Sequence, residues 1–287
     1  MTSPALTWTL QALLLWCSKY FSDKALPTPR LDAELLLAFA LKLRRIDLYL
    51  QFDRPMSDAE LACVKAFIKR RAAGEPTAYI IGQKEFYSRP FSVTKDVLIP
   101  RPDTEILVDE ILKFVANKAH GLEIGLGSGC IAITLLAERP EFTLTAIDIS
   151  EAALAVAKTN AEVHGVLARL TLTHQDFLTD TATAETLFDF LVSNPPYIKQ
   201  SELADLPMSV KDFEPHLALD GGVDGLVFYH AIAERAKTLV KSGGFVAVEI
   251  GDDQGEAVSA LFTQSGLNSV TVKKDLAGLD RVVLAQV

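Results

Sequence analysis

The residues with the clearest chemical potential are Asn194, Pro195, Pro196 and Tyr197, which directly follow the apolar run Phe188 to Val192. The run predicts a short buried strand that ends at Asn194, because two successive prolines lack the N–H and the free φ that a strand needs. In open α/β sheets, ligands bind at the carboxyl ends of strands. The Asn194 side-chain oxygen and the free Pro195 carbonyl could therefore accept both hydrogens of a planar –NH₂ group, with Tyr197 beside it.

An ordinary strand-ending turn would explain the same tetrapeptide, because Asn and Pro are common turn residues. A second motif upstream favours the chemical interpretation. It lies between a predicted strand and a predicted helix and contains Gly125, Leu126, Gly127, Ser128 and Gly129. Glycines at these positions let the backbone approach a ligand closely, because a Cβ would collide with it.

Acidic and aromatic residues at two further strand ends predict an adenosine cofactor. Asp148 follows the first of those glycines by 23 positions, where a carboxylate can bind both hydroxyls of a ribose. A dinucleotide site would carry glycine at the position of Cys130. The pattern with Glu123 instead suits S-adenosylmethionine, which has a cationic amino-acid tail and no phosphate. Asp176 is predicted to accept from the adenine amino group, and Phe177 to stack on the ring.

Alternating strand and helix patterns from Leu122 onward predict an α/β fold. We expect a seven-stranded, doubly wound, mostly parallel sheet that ends in an antiparallel hairpin. The predicted strands are 122–125, 143–149, 170–175, 188–193, 244–250, 269–273 and 281–285, and the predicted helices between them are 129–138, 151–164, 226–240 and 255–265.

The N-terminal part predicts a small helical bundle, residues 1–80, whose expected role is substrate recognition. A first helix runs from Thr7 to Phe21, a second begins at Thr28–Pro29, and a third opens with a capping box at Ser57–Glu60 and closes at Gly74. The predicted apolar face of the second helix is Leu31, Leu35, Ala38 and Phe39.

Residues 81–102 are predicted to form a β-hairpin linker before a catalytic domain of residues 103–287. The expected strands are Glu85–Tyr87 and Phe91–Val93, joined by a turn at Ser88–Pro90. A proline-flanked turn follows, and Asp103 or Thr104 is expected to cap a helix that runs to about Asn117.

Composition excludes several functional classes. The chain has 287 residues, of which 49% are hydrophobic, but no apolar run approaches the roughly 20 residues of a membrane span. Cys17, Cys63 and Cys130 are few and unclustered, and the histidines are scattered, so we expect a cytoplasmic protein without a disulfide frame or a metal site.

Charge is unevenly distributed along the chain. Residues 1–90 carry 13 basic and 9 acidic side chains, a balance of +4. Since the net charge of the whole chain is −9, residues 91–287 carry a balance of −13. An acidic catalytic half binds phosphate backbones poorly, so no direct contact with nucleic acid is expected.

Together these motifs resemble those of class I S-adenosylmethionine-dependent methyltransferases. The chain is closely similar to the glutamine-N5 methyltransferases of peptide chain release factors, the PrmC/HemK family. The Asn-Pro-Pro-Tyr motif resembles the one shared by enzymes that methylate planar –NH₂ groups. Segments 85–88, 98–105 and 213–215 resemble the release-factor branch specifically, and the similarity covers essentially the whole chain. The family usually has Asp in place of Glu123 and a small polar residue in place of Leu126.

The resemblance implies methyl transfer from S-adenosylmethionine to the glutamine of the release factor Gly-Gly-Gln motif, which leaves S-adenosylhomocysteine. It implies Asn194, Pro195 and Tyr197 as catalytic residues, with Pro196 added for substrate binding. We also expect Arg101 and Pro102 to roof the cofactor, and the protein to be a monomer. The implied cofactor contacts are Gly125, Leu126, Gly127, Ser128, Gly129, Asp148, Phe177 and Asn194.

Four other interpretations remain open at this point. A DNA adenine or cytosine amino methyltransferase shares the motif but must flip its base and grip a duplex, which the negative charge disfavours. A ribosomal-protein glutamine methyltransferase is a nearer relative, although residues 100–105 favour release factors. A catalytically silent adenosine-binding or ribosome-associated module would not need the acceptors at Asn194. A nicotinamide oxidoreductase fits least, given Cys130.

Overall fold

The computed structural model describes residues 8–180 and 187–287, so the predicted helix start at Thr7 lies outside the described residues. The chain divides into two compact units. One contains the described residues up to Gly82 together with Met208–Phe213, and the other contains Gln83–Pro207 and Glu214–Val287. None of the described helices is long and apolar enough to cross a membrane.

The α-helices are named in chain order. They are α1 (Leu10–Asp23), α2 (Pro29–Leu41), α3 (Arg45–Leu50), α4 (Asp58–Ala72), α5 (Thr77–Ile81), α6 (Glu105–Phe114), α7 (Cys130–Glu138), α8 (Glu151–Val163), α9 (Met208–Lys211), α10 (Val227–Leu239) and α11 (Gly255–Gln264). Short 3₁₀ turns lie at Pro102–Thr104, Leu167–Arg169, Leu203–Asp205 and His216–Ala218.

The β-strands form a two-stranded hairpin and a seven-stranded sheet. They are β1 (Gln83–Phe86), β2 (Arg89–Ser92), β3 (His120–Ile124), β4 (Thr143–Asp148), β5 (Leu170–His174), β6 (Phe188–Ser193), β7 (Val240–Glu249), β8 (Asn268–Lys274) and β9 (Asp280–Gln286).

The helical unit follows its capping signals. The Thr9 hydroxyl accepts a hydrogen bond from the Ala12 N–H at the start of α1, and Pro29 occupies the first turn of α2. Ser57 and Glu60 form the predicted capping box of α4. The short helices α3 and α5 were not predicted, because five or six residues carry too little periodicity to be detected.

The predicted apolar face of α2 is only partly correct, because Ala38 is buried and Leu35 is half-buried but the other two residues are not. Leu31 and Phe39 are exposed, whereas Asp32 and Glu34 are buried. Asp32 forms a buried ion pair with Arg71 at 3.0 Å and accepts a hydrogen bond from a buried threonine hydroxyl of α5 at 2.7 Å. Apolar residues occur on nearly every side of α2, so these polar partners decide which side faces the interior.

The sheet confirms the predicted doubly wound architecture. Its strand order is β5-β4-β3-β6-β7-β9-β8, and β9 runs antiparallel to both of its neighbours. The chain moves outward from β3 to β5 and then returns to place β6 on the other side of β3. The strand order therefore reverses between β3 and β6, where open α/β sheets bind ligands.

Two hydrophobic layers cover the two faces of this sheet. Helices α6, α7 and α8 pack on one face, and α10 and α11 pack on the other. Successive residues of β6 alternate between them, since Val192 belongs to the first layer and Leu191 to the second. Burial on both faces explains why the strands read as nearly continuous apolar runs.

The hairpin turn lies one residue earlier than predicted. Tyr87 and Ser88 form it, with φ of 50° and 57°, whereas the prediction placed Tyr87 in a strand and the turn at Ser88–Pro90. Positive φ at both central residues matches the twist of a hairpin but is costly without glycine. The Tyr87 N–H donates to Glu105 at 2.8 Å and its hydroxyl donates to Asp109 at 2.8 Å, which offsets that cost.

Candidate active site

A cavity of about 340 Å³ lies at the carboxyl ends of β3, β4 and β6. That volume falls in the range of small-molecule sites. The predicted residues that line it are Gly125, Leu126, Gly127, Ser128, Asp148, Phe177, Asn194 and Pro196. The predicted residues outside its lining are Gly129, Pro195 and Tyr197.

The glycines of the loop have two different roles, one toward the cavity and one toward the helices. A Cβ added to Gly127, where φ is 55°, would meet no atom within 4 Å, so the backbone there faces open space. A Cβ on Gly129 would lie 2.8 Å from Ile133 and 3.2 Å from Ala157, so this glycine lets α7 and α8 pack closely. Gly129 thus contributes to helix packing and does not line the cavity.

Asp148 fixes the loop to the neighbouring strand end. One carboxylate oxygen accepts a hydrogen bond from the Gly127 N–H at 2.9 Å, and the other accepts from the Ser150 N–H at 2.9 Å. A carboxylate has about four acceptor positions, so both oxygens keep capacity for a ligand hydroxyl. The assignment of Asp148 to a ribose stays a prediction, and these two bonds leave room for it.

Glu123 lines the same cavity and has one carboxyl oxygen without a partner among the described residues. The residue is only 1% exposed, and the unpaired oxygen is Oε2. Burial raises its pKa well above the ordinary value. A cationic ligand group would stabilise the charged form and satisfy this oxygen.

Phe177 forms an aromatic part of the cavity wall. The Arg235 guanidinium lies 4.2 Å from the ring centroid and donates to the Phe177 carbonyl at 2.6 Å, so the ring is held from behind. The neighbouring Asp176 uses its oxygens within its own turn, where it accepts from the Leu178 N–H and the Thr179 hydroxyl. The Thr179 bond is the main cause that holds the pKa of Asp176 below its usual range.

Asn194 is oriented by a neighbour that sequence reasoning did not identify. Its Nδ2 donates to Thr104 Oγ1 at 3.3 Å. Thr104 was predicted only as a possible helix cap, yet it makes no such bond to α6. No described donor reaches Asn194 Oδ1 or the Pro195 carbonyl, so both oxygens remain available, although Pro195 itself is buried.

Tyr197 lies behind the motif, outside the cavity lining. Burial is the main cause that raises the pKa of Tyr197 to about 12, and the nearby Glu249 charge adds to it. Its carbonyl accepts from the Gln254 side chain at 3.1 Å, which anchors the residue. The phenol is therefore neutral near pH 7 and is not a general base.

Glu214 holds the segment from Ile99 to Arg101 in place at the cavity. This buried carboxylate accepts from Arg101 at 2.6 Å and from the Ile99 N–H at 3.1 Å. Arg101 lines the cavity as predicted, and Pro102 does not. In the part of the chain that the structure describes, no three His, Cys, Asp or Glu side chains gather as a metal ion would require.

Comparison with known proteins decides the family. Residues 12–82 match the family model "PrmC N-terminal domain", and residues 102–213 match "Methyltransferase small domain". A curated release factor glutamine methyltransferase of Geobacter sulfurreducens is 41% identical over 283 residues, covering 99% of this chain and 98% of that protein. One of Nitratidesulfovibrio vulgaris is 42% identical over 281 residues, covering 97% and 95%. The chain belongs to the release factor glutamine methyltransferase family.

This member of the family is a methyltransferase, and solved structures agree on its fold. The catalytic domain of hMettl16, solved in complex with MAT2A 3'UTR hairpin 6, superposes with a TM-score of 0.55. The two are 15% identical, and the match covers 82% of this chain and 84% of that one. Such a likeness supports the methyltransferase fold alone.

Sequence reasoning missed three polar residues of this methyltransferase. Thr104 reaches Asn194, Glu214 holds the Arg101 loop, and Glu249 lies buried beside Tyr197. Thr104 had been predicted only as a possible helix cap, and Glu214 falls within a segment that was noticed only for its resemblance to the family. The only signal for Glu249 was its position at the end of a predicted strand.

Proposed function

We propose that this chain transfers a methyl group from S-adenosylmethionine to the side-chain amide nitrogen of the glutamine in the Gly-Gly-Gln motif of release factors. The observation that carries the proposal is Asn194, whose Oδ1 is left without a partner at the edge of the cavity while Nδ2 is bound by Thr104. The names of the relatives, at about 40% identity over nearly their whole length, support the same substrate.

The cavity residues fit this cofactor. The open backbone at Gly127 leaves room for it, Asp148 offers acceptors to a ribose, and Phe177 offers a ring to adenine. The unpaired Oε2 of Glu123 would offer a partner to the ammonium group of the amino-acid tail. When bound, S-adenosylmethionine supplies an electrophilic methyl group on a sulfonium sulfur.

The protein's contribution is to orient a poor nucleophile. The lone pair of a carboxamide nitrogen is delocalised into its carbonyl group. Asn194 Oδ1 and the Pro195 carbonyl would accept its two N–H groups and hold the nitrogen for in-line attack. Orientation of this kind is worth about 7–11 kcal/mol of barrier. The same acceptors stabilise the positive charge that grows on the nitrogen.

No strong base is needed in this scheme. An amide that becomes N-protonated during transfer is acidic enough to release its proton to water. Tyr197, with a pKa of about 12, would remain neutral, and as the residue after Pro196 it would support the motif from outside the cavity lining. Pro196, which lines the cavity, would contact the glutamine side chain.

The helical residues 1–80 would recognise the release factor, and residues 81–102 would link them to the catalytic part. Helices α1, α2 and α4 form a core of their own around residues such as Leu14, Leu36 and Val64. We expect one copy of the chain to act alone. Light scattering of the purified protein tests this.

Mass spectrometry of a purified release factor, incubated with the protein and S-adenosylmethionine, tests the main proposal. We expect one added methyl on the Gln of the Gly-Gly-Gln motif, and none on a release factor in which that Gln is replaced by Ala. Asn194→Ala should remove most of the transfer, because the reacting amide loses one acceptor. Near wild-type turnover by Asn194→Ala, in protein that still binds the cofactor, would defeat the mechanism.

A further inference from the structure

Glu249, the last residue of β7, is a buried carboxyl group without an evident structural role. It is 1% exposed, and its Oε2 has no hydrogen-bond partner among the described residues. Ser193 pairs with Val248 across β6 and β7, so Glu249 lies level with Asn194. A buried carboxyl group with an unpaired oxygen is costly, so its presence at this strand end calls for an explanation.

Thr104 connects Glu249 to Asn194. Thr104 is 2% exposed, and its hydroxyl oxygen accepts from Asn194 Nδ2 at 3.3 Å. The hydroxyl also lies near the Glu249 carboxyl group, whose pKa it lowers. A hydroxyl has one proton to donate and two lone pairs to accept with, so it can serve both neighbours at once.

The direction of this chain of hydrogen bonds depends on the charge of Glu249. An ionised carboxylate can only accept, so the Thr104 hydroxyl would donate its hydrogen bond to Glu249 and keep its lone pairs for Asn194. Only the Nδ2 end of the Asn194 amide can donate to those lone pairs. Oδ1 is then the end left for a substrate amide.

We propose that Glu249 is a positioning residue that acts through Thr104 to hold the Asn194 amide with Oδ1 turned toward the substrate. This inference rests on the proposed function, in which Oδ1 accepts from the glutamine amide. The chain Glu249–Thr104–Asn194 begins on β7, passes through the residue before α6 and ends after β6.

No direct ion pair competes with this role. Arg281 is held by Asp275 at 3.0 Å and by Asp103 at 3.8 Å. Among the described residues, no cationic group lies within 4 Å of the Glu249 carboxylate. The titratable and charged groups that face Glu249 are Arg281 of β9, Asp103 and Arg101 before α6, Tyr197 after β6, Tyr229 of α10 and Cys130 of α7.

Titration of Glu249 gives the arrangement a pH dependence. Burial is the largest effect and raises the pKa of Glu249 to about 7, while the Thr104 hydroxyl and the two arginines lower it. The protonated carboxyl group can itself donate a hydrogen bond to Thr104, and the Thr104 hydroxyl is then free to donate to Asn194 Oδ1. The productive orientation should therefore be lost as the pH falls through about 7.

Three variants and a matched control test this role. Glu249→Gln and Thr104→Val remove the charge and the hydroxyl with little change in volume, and each should lower kcat on a release factor at least tenfold. Thr104→Ser keeps the hydroxyl and should retain most of the activity. The control is Glu110→Gln on α6, another buried glutamate, which is bound by Lys113 and should leave kcat unchanged. Calorimetric binding of S-adenosylhomocysteine should stay within threefold in all four, which also shows that they fold.

Two further readouts separate a positioning role from a merely structural one. The kcat of the wild type should rise with pH through about 7, and the profile of Glu249→Gln should be flat there. Adding Glu249→Gln to Asn194→Ala should cost little in single-turnover rate, because the second change acts through a side chain already removed. If Glu249→Gln kept the kcat and the pH profile of the wild type, or if the losses in the double variant were additive, the positioning role would be overturned and the proposed function would stand. A wild type that leaves the release factor unmethylated would overturn it together with the proposed function.

Discussion

The carboxyl group of Glu249 lies in a nearly dry site, where burial raises its pKa from 4.5 to about 7. In the unfolded chain the group loses its proton near its ordinary pKa, while the folded protein retains it. The folded state is therefore favoured at low pH, and this contribution is lost as the pH rises from 4.5 to about 7.

Glu249→Gln should consequently stabilise the protein at pH 8. A shift of this size corresponds to about 3 kcal/mol in the free energy of unfolding, and the gain should largely vanish at pH 5. Chemical denaturation at the two pH values measures both differences. A variant that is less stable than the wild type at pH 8 would show that burial does not destabilise the charged form.

Asp148 serves both the loop and the ligand, so its replacement should separate binding from folding. Asp148→Ala removes the acceptors of the Gly127 and Ser150 N–H groups, a cost of about 2 kcal/mol in stability. It also removes the acceptors for a ribose, so the Kd for S-adenosylhomocysteine should rise at least tenfold. Calorimetry and thermal melting measure the two effects. An unchanged Kd would contradict the ribose assignment.

At the scale of elements, the sequence predicted the strands of the sheet better than the surfaces of the helices. A strand buried on both faces is an apolar run, and Asp148 and Asn194 mark where two such runs end. Helix α2 is apolar on almost every side, so its interior face depended on Asp32 finding Arg71 from a distant helix. Periodicity within one helix contains no information about such a partner.

In the site, too, the features set by local sequence were predicted and those set by distant partners were not. The glycine loop, Asp148 and Asn194 were predictable because each is a polar or flexible residue at the end of a strand in a doubly wound sheet. The contact between Thr104 and Asn194 joins residues 90 positions apart and depends on side-chain packing. The turn at Tyr87 was misplaced because nothing in its residue types signals positive φ.

Asn160 of α8 joins the hairpin to the glycine loop, and its loss should affect both. Its Nδ2 donates to the carbonyls of Ser92 and Ser128 at 3.0 and 2.9 Å, and its Oδ1 accepts from the Ser92 N–H at 2.8 Å. Asn160→Ala would remove the partner of these three backbone groups, of which the Ser128 carbonyl is buried. We expect a loss of about 2–4 kcal/mol in stability and weaker cofactor binding.

Urea denaturation and calorimetry measure these effects, and the adjacent residue supplies a control. Thr159 is exposed, and its hydroxyl donates only to a carbonyl within α8. Thr159→Ala should change stability by no more than about 0.5 kcal/mol. If Asn160→Ala behaved like Thr159→Ala, the hairpin and the loop would not depend on this side chain.

At the scale of the whole molecule, the charge of this chain, and not its fold, indicates whether its substrate is a protein or a nucleic acid. The sheet is shared with hMettl16, whose catalytic domain was solved with an RNA hairpin. Fold alone therefore does not decide the substrate. Residues 91–287 of this chain carry a balance of −13, which repels a phosphate backbone.

We therefore expect labelled methyl groups to enter a release factor but neither duplex DNA nor an RNA hairpin, each offered at the same concentration. Proteins that bind phosphate backbones gain affinity steeply as salt falls, so the assay is run at both low and near-physiological salt. This acidic chain should show no gain toward nucleic acid at low salt. Label in DNA or RNA within tenfold of that in the release factor would instead favour an amino methyltransferase of bases, since both substrates present a planar –NH₂ group to Asn194.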